Sequence, residues 1–229
     1  MSATRQLRDT ATAHLAAGRL AEAGTAYAQL LARAPQDADA HHQLGTIRLQ
    51  LGDSAEGLRL LGVAVQLAPQ NAESWLHLGM AAQNLGRLDD AVAHYGQALA
   101  HLPAYPAALF RLGVLLRHLR RHGEALSALD RCAVLAPQEE AVLQQRGEVK
   151  YELQDMQGAL ADFDAVLARD PARLADLRAR LAANRHTMPL FDAARFCRHL
   201  ESAYATMIAI AATGEAPRPF DIAAGAAGL

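Results

Sequence analysis

Cysteine is scarce in this sequence: Cys132 and Cys197 are the only two in 229 residues. Two thiols cannot staple a small disulfide scaffold. Both fall at apolar helical positions, as buried thiols of a reducing compartment do. Aromatic residues make up only 5% of the chain although hydrophobic residues reach 52%. A β-sandwich would draw on Val, Ile, Tyr and Phe, so this alanine- and leucine-rich composition predicts helices packed through small side chains. An excess of one charge is missing too. A formal net charge of -2 removes the electrostatic case for a nucleic-acid partner. Lysine is nearly absent, with Lys150 alone among 22 basic residues, which predicts a GC-rich, bacterial coding sequence and carries no mechanism. Long apolar runs are lacking as well. The most apolar stretch, AYATMIAIAA at 203–212, is too short to cross a bilayer. The N-terminal MSATRQLRDTATAHL has no apolar signal-peptide region. The expectation is a cytoplasmic protein with neither membrane nor nucleic acid among its partners.

What the sequence does contain is a period. Proline stands at 35, 69, 103, 137 and 171, each 34 residues from the last. Glycine repeats at 45, 79, 113 and 147, and a small residue at Ala23, Gly57, Ala91, Ala125 and Ala159, both again at 34. Each register has a physical task. Two antiparallel helices cross closely only where side chains are small, which the glycine and alanine rows provide. The proline ends the second helix of each unit, because it lacks an N–H and clashes with the preceding turn. Turn signals fall between the helices: LGD at 51–53, LGR at 85–87 and RHG at 121–123. Trp75, Leu78, Tyr95, Leu99, Leu109, Leu112 and Leu129 are the expected large core residues.

The stretch AESWLHLGMAAQNLGRLDDAVAHYGQALAHLPAY at 72–105 resembles the tetratricopeptide repeat, whose W-x-x-L-G, A-x-x-x-Y-x-x-A-L and P elements it follows in order. The resemblance implies an all-α solenoid, a right-handed superhelix of helix pairs. Five repeats are expected at 4–37, 38–71, 72–105, 106–139 and 140–173, with C-terminal capping and docking helices at 174–213 and an extended or disordered tail at 214–229. The first repeat departs from the pattern at Thr10 and Ala11, and the fifth places Arg146 at a normally apolar position. Such drift is common in terminal repeats, which have one face in solvent.

In the family it resembles, positions 2, 5, 6, 9, 12 and 13 of each repeat point into a concave groove. Carried onto this sequence, they assign to the groove His42, Gln43, Thr46 and Gln50; then Leu76, His77, Met80, Gln83 and Asn84; then Phe110, Arg111, Val114, Arg117 and His118. The carboxylate clamp of chaperone-docking relatives is not reproduced, since Arg8, Thr12 and Gln43 stand at its positions. The asparagine ladder of O-linked N-acetylglucosamine transferases is replaced by the row Asp9, Gln43, His77, Arg111 and Gln145, which can still hydrogen-bond an extended peptide. RLGVLLRHLRRHGEA at 111–125 is the densest basic stretch. Arg111 and Arg117 are expected to face the groove, where they would suit an acidic segment, or else to form a solvated face. Arg120, Arg121 and His122 read as a solvated helix end.

No cofactor and no metal is expected. His118 and His122 share i,i+4 spacing, but three arginines beside them repel a cation and no carboxylate completes a ligand set. His41 and His42 are adjacent and point to different faces of a helix.

The end of the chain is of another kind. Residues 174–186 place Leu174, Leu177 and Leu181 on one face, as a cap over the fifth repeat needs. An amphipathic helix is expected at about 193–213, with Asp192 as its N-cap, Gly214 ending it and an apolar stripe from Ala193 to Ala211. LRARLAANRHTMPLFDAARFCRHLESAYATM at 177–207 and EAPRPFDI at 215–222 resemble the extreme C-terminus of bacterial O-linked N-acetylglucosamine transferases of the SPINDLY-like group. In that family two Rossmann-like lobes separate the repeats from this segment. Here there is no room for a sheet between them, so none of the family's catalytic residues has a counterpart. Phe191, Phe196, Leu200, Tyr204 and Met207 form the expected docking face.

The expected function is therefore non-catalytic: an adaptor that binds a peptide or protein segment, with an acidic stretch, in its groove. The alternative is an accessory or split subunit of a protein O-glycosyltransferase, presenting acceptor proteins to a separate catalytic chain.

Overall fold

The computed structural model describes residues 3–168. The chain divides into two compact units, Met1–Val166 and Leu167–Leu229. The expected capping helix, docking helix and tail lie outside the described residues, as do Cys197 and the docking side chains from Phe191 to Met207.

Ten helices and no strand occupy the described residues. They run α1 (Ala3–Ala16), α2 (Leu20–Arg33), α3 (Ala38–Gln50), α4 (Ser54–Leu67), α5 (Ala72–Asn84), α6 (Leu88–His101), α7 (Pro106–His118), α8 (His122–Leu135), α9 (Glu140–Glu152) and α10 (Met156–Leu167). From α1 to α8 each odd-numbered helix packs on its successor, and each even-numbered helix packs on the next odd one. This is the tetratricopeptide solenoid, an all-α stack of helix pairs. No helix among the described residues is long and apolar enough to cross a membrane.

Local chemistry sets the helix ends. Asp37, Asp53 and Asn71 are N-caps: their side-chain oxygens accept from the backbone N–H of Ala40, of Glu56, and of both Glu73 and Ser74, at 3.0–3.1 Å. Pro106 opens α7, where an absent N–H costs nothing. The even helices α2, α4, α6 and α8 end on Ala34, Ala68, Leu102 and Ala136. Each of these directly precedes a periodic proline, which pushes its backbone out of the helical region.

The turns inside the pairs follow one rule. Gly18, Gly52 and Gly86 have φ of 70°, 85° and 74°, and in the next two repeats Arg120 and Gln154 hold the same left-handed conformation at 61° and 64°. The turn does not fall on RHG at 121–123 as the spacing predicts: Gly123 lies inside α8, and the residue that turns the chain is Arg120.

The periodic glycines mark close helix approach. A Cβ on Gly79 would lie 2.5 Å from Tyr95 Cε1, one on Gly113 2.6 Å from Leu129 Cγ, and one on Gly147 2.7 Å from Phe163 Cε1. Tyr95, Leu109 and Leu129 are fully buried and Leu78 and Leu99 nearly so, while Trp75 and Leu112 are half-buried at the edge of the core. Trp75 donates through Nε1 to the Pro69 carbonyl at 2.6 Å. Cys132 is a free, buried thiol whose Sγ lies 3.4 Å from the Pro106 carbonyl.

Candidate functional site

The odd-numbered helices carry the residues assigned to the groove. α3 touches α5, and α7 touches α9, so equivalent positions of successive repeats are neighbours. Gln43, Thr46, His77, Met80, Gln83, Phe110, Val114 and Arg117 are half-buried; Gln50, Asn84, Arg111 and His118 are exposed. His42 and Leu76 depart from the expectation, each being only 5% exposed. The reason is geometric. Position 5 looks into the seam between repeats: His42 shares a hydrogen bond with Ser74 Oγ of α5 at 2.9 Å, and Leu76 joins the core cluster around Tyr95. Phe110, at the same position, faces a cavity of about 250 Å³ lined also by Pro106, Cys132 and Val142.

The basic stretch separates into paired and free cations. Arg117 lies 2.9 Å from Glu148 and 3.7 Å from Glu152, both on α9. Arg120 approaches Glu152 at 3.9 Å, His122 Nδ1 stands 2.9 Å from Glu152 Oε2, and Arg121 pairs with Glu124 at 2.7 Å. Arg117 is thus held in a link between α7 and α9 and is not free for a ligand. Arg111 takes none of the ion pairs found among the described residues. It sits beside the Tyr95 hydroxyl, whose pKa burial pushes up to about 12 against the pull of that guanidinium. Tyr95 donates to Gln83 Oε1 at 2.7 Å, so the groove residue Gln83 is also partly engaged.

The family profile of the tetratricopeptide repeat matches residues 8–72, 42–95 and 76–140, which together cover 8–140 without a gap. The chain belongs to the tetratricopeptide repeat family. Solved structures of similar fold include MamA from Desulfovibrio magneticus RS-1, 18% identical, covering 74% of this chain and 96% of that one with a TM-score of 0.68. MamA of AMB-1 is 26% identical, with 73% and 92% covered and a TM-score of 0.65. YrrB, a TPR protein with an unusual peptide-binding site, is 19% identical, with 74% and 88% covered and a TM-score of 0.63. A search of curated protein sequences finds no match.

Two features of this tetratricopeptide array were not legible from spacing alone. In the fifth repeat, Arg146 at its normally apolar position is answered by Asp162 of α10, only 4% exposed. Arg146 Nε donates to Asp162 Oδ2 at 2.9 Å, a second guanidinium nitrogen bonds Oδ1, and Lys150 lies 2.9 Å away. The single lysine of the chain thus has a structural place. In the second and third repeats, the seam gathers His42, Glu73 and His77. Their potential ligand atoms all lie within 4.8 Å of one another. His42 Nε2 is 3.9 Å from Glu73 Oε1, and the two imidazole rings are 5.3 Å apart. Burial lowers the pKa of both histidines; Glu73 opposes this at each, while Arg111 adds to it at His77. Scanning within one helix misses the group, because its members stand at position 5 of one repeat and positions 2 and 6 of the next. Of the His118–His122 pair, His122 alone meets a carboxylate, Glu152, and Arg117 and Arg120 approach the same group.

Proposed function

We propose that the chain is a non-catalytic interaction module that holds an extended protein segment along the face of α3, α5, α7 and α9. The observation that carries this reading is the set of buried polar atoms on that face without a hydrogen-bond partner of ordinary geometry: Thr46 Oγ1, His77 Nδ1 and Gln145 Oε1. An unmet buried polar group costs about 1–3 kcal/mol, and a backbone laid along the face offers N–H and C=O groups to meet several at once. The peptide-binding site named for YrrB supports the same class of ligand. Arg111 is the anchor for an acidic side chain in that segment, because it is exposed and free of carboxylates. The free Cys132 thiol supports a reducing, cytoplasmic setting. The test is an array of acidic peptides with matched neutral ones, read by fluorescence anisotropy. Acidic peptides should bind more tightly, and Arg111→Glu should weaken them by about tenfold or more. Equal binding of both sets, unaltered in the variant, would sink the anchor.

A second reading rests on the tail at 177–222. By its resemblance to the end of O-linked N-acetylglucosamine transferases, this segment supports an accessory subunit whose Phe191, Phe196, Leu200, Tyr204 and Met207 dock on a separate catalytic chain. Affinity purification should then recover a glycosyltransferase, and Phe196→Asp with Leu200→Asp should lose it. A partner set with no glycosyltransferase removes this reading and leaves the first intact.

A further inference from the structure

We propose that His42, Glu73 and His77 bind one divalent transition-metal ion of the zinc type at the seam between the second and third repeats. The donor set is chemically suited. Two imidazoles and one carboxylate are the ligands of open tetrahedral zinc sites, in which a fourth position stays available. The geometry needs little adjustment. Ligand atoms around a tetrahedral ion with bonds of about 2.0–2.2 Å stand roughly 3.4 Å apart. Here His42 Nε2 and Glu73 Oε1 are already 3.9 Å apart, and all three donors lie within 4.8 Å. Glu73, whose side chain is 61% exposed, is free to swing toward the two imidazoles.

Two further observations separate this group from a chance cluster of polar side chains. His42 is 5% exposed, and its Nδ1 is tied to the buried Ser74 hydroxyl at 2.9 Å. With Nδ1 donating to Ser74, the Nε2 lone pair is directed at the site, the usual way an outer partner orients a metal-binding imidazole. His77 also carries a buried nitrogen, Nδ1, without a hydrogen-bond partner of ordinary geometry. Glu73 and His77 are one turn apart on α5 and share a face. His42 comes from α3, which α5 touches directly, so the ion would tie two repeats together. Asp39 adds negative charge near His42, and Arg111 adds positive charge near His77. Arg111 therefore lowers affinity for the bare cation while favouring an anionic fourth ligand.

The test uses the untagged full chain, stripped with a chelator and titrated with ZnCl2 by calorimetry and with CoCl2 by visible absorption. The expected result is one equivalent bound, with the intense visible bands of four-coordinate cobalt and a rise in melting temperature on adding zinc. Glu73→Gln and His77→Gln should each weaken binding by at least about tenfold. Both sites reach the surface, so these variants should melt like the wild type without metal; His42→Asn, at a buried site, is a secondary variant only. Absence of stoichiometric binding in the wild type overturns the proposal. So does an affinity unchanged by both surface variants, which would place the ion on other histidines or on the cysteines.

Discussion

Gly79 is a packing requirement at the scale of a single residue. Tyr95 fills the space its Cβ would take, at 2.5 Å from ring carbon Cε1, and that ring is fully buried. Gly79→Ala should therefore overpack the third repeat and destabilise the protein by about 1–3 kcal/mol in chemical denaturation. Arg120 is the opposite case, a side chain where the backbone prefers none. It holds φ at 61° at the position occupied by glycine in the first three repeats. The left-handed conformation costs a non-glycine residue roughly 1 kcal/mol, and the 3.9 Å contact of Arg120 with Glu152 is too exposed to repay it. Arg120→Gly should stabilise the protein by about 0.5–1 kcal/mol. An unchanged or lower midpoint would show that the turn carries no strain.

At the scale of elements, ion pairs add to apolar packing toward the end of the array, where Val149 of α9 still packs with Leu116 and Leu129. α7 is tied to α9 through Arg117, Glu148 and Glu152, and α9 to α10 through Arg146, Lys150 and Asp162. Burial pushes the Asp162 carboxyl up, but the hydrogen bonds from Arg146 and Lys150 outweigh it and hold the group below its ordinary value. The sign follows directly. Between the lowered folded value and the ordinary aspartate range near 3.9, the unfolded chain binds more protons. The contribution is present above about pH 4 and is lost as pH falls through the folded value. Asp162→Asn should cost about 2–3 kcal/mol at neutral pH, because it takes the carboxylate from Lys150 and leaves Arg146 with Asp130 alone, at 3.3 Å. Its melting temperature should also fall less steeply than that of the wild type between pH 5 and pH 3. Parallel pH profiles would remove Asp162 from the acid response.

For the whole array, stability is shared between nearest neighbours, so the ends are the weakest parts. α1 buries only Ala11, whereas α5 buries six residues, among them Leu76 and Leu78. Hydrogen exchange followed by mass spectrometry should find α1 amides opening at a lower free energy than those of α5 and α6. Uniform protection from α1 to α8 would mean that the array unfolds as one block.

The sequence by itself determined the helices, their pairing and the family, because all three depend on features that recur every 34 residues. Proline and cap residues end helices locally, and a small residue at a crossing is required whatever its neighbours are. The partners of polar side chains were decided only by tertiary structure. Arg111 and Arg117 look alike in the chain, yet the first takes no ion pair among the described residues and the second is held by Glu148 and Glu152. His42 reads as a groove residue until the seam places it beside Ser74, Glu73 and His77. A repeat period fixes the face a residue occupies; which charge or ring it meets depends on how far the next repeat is rotated and shifted, and that is a property of the packed stack.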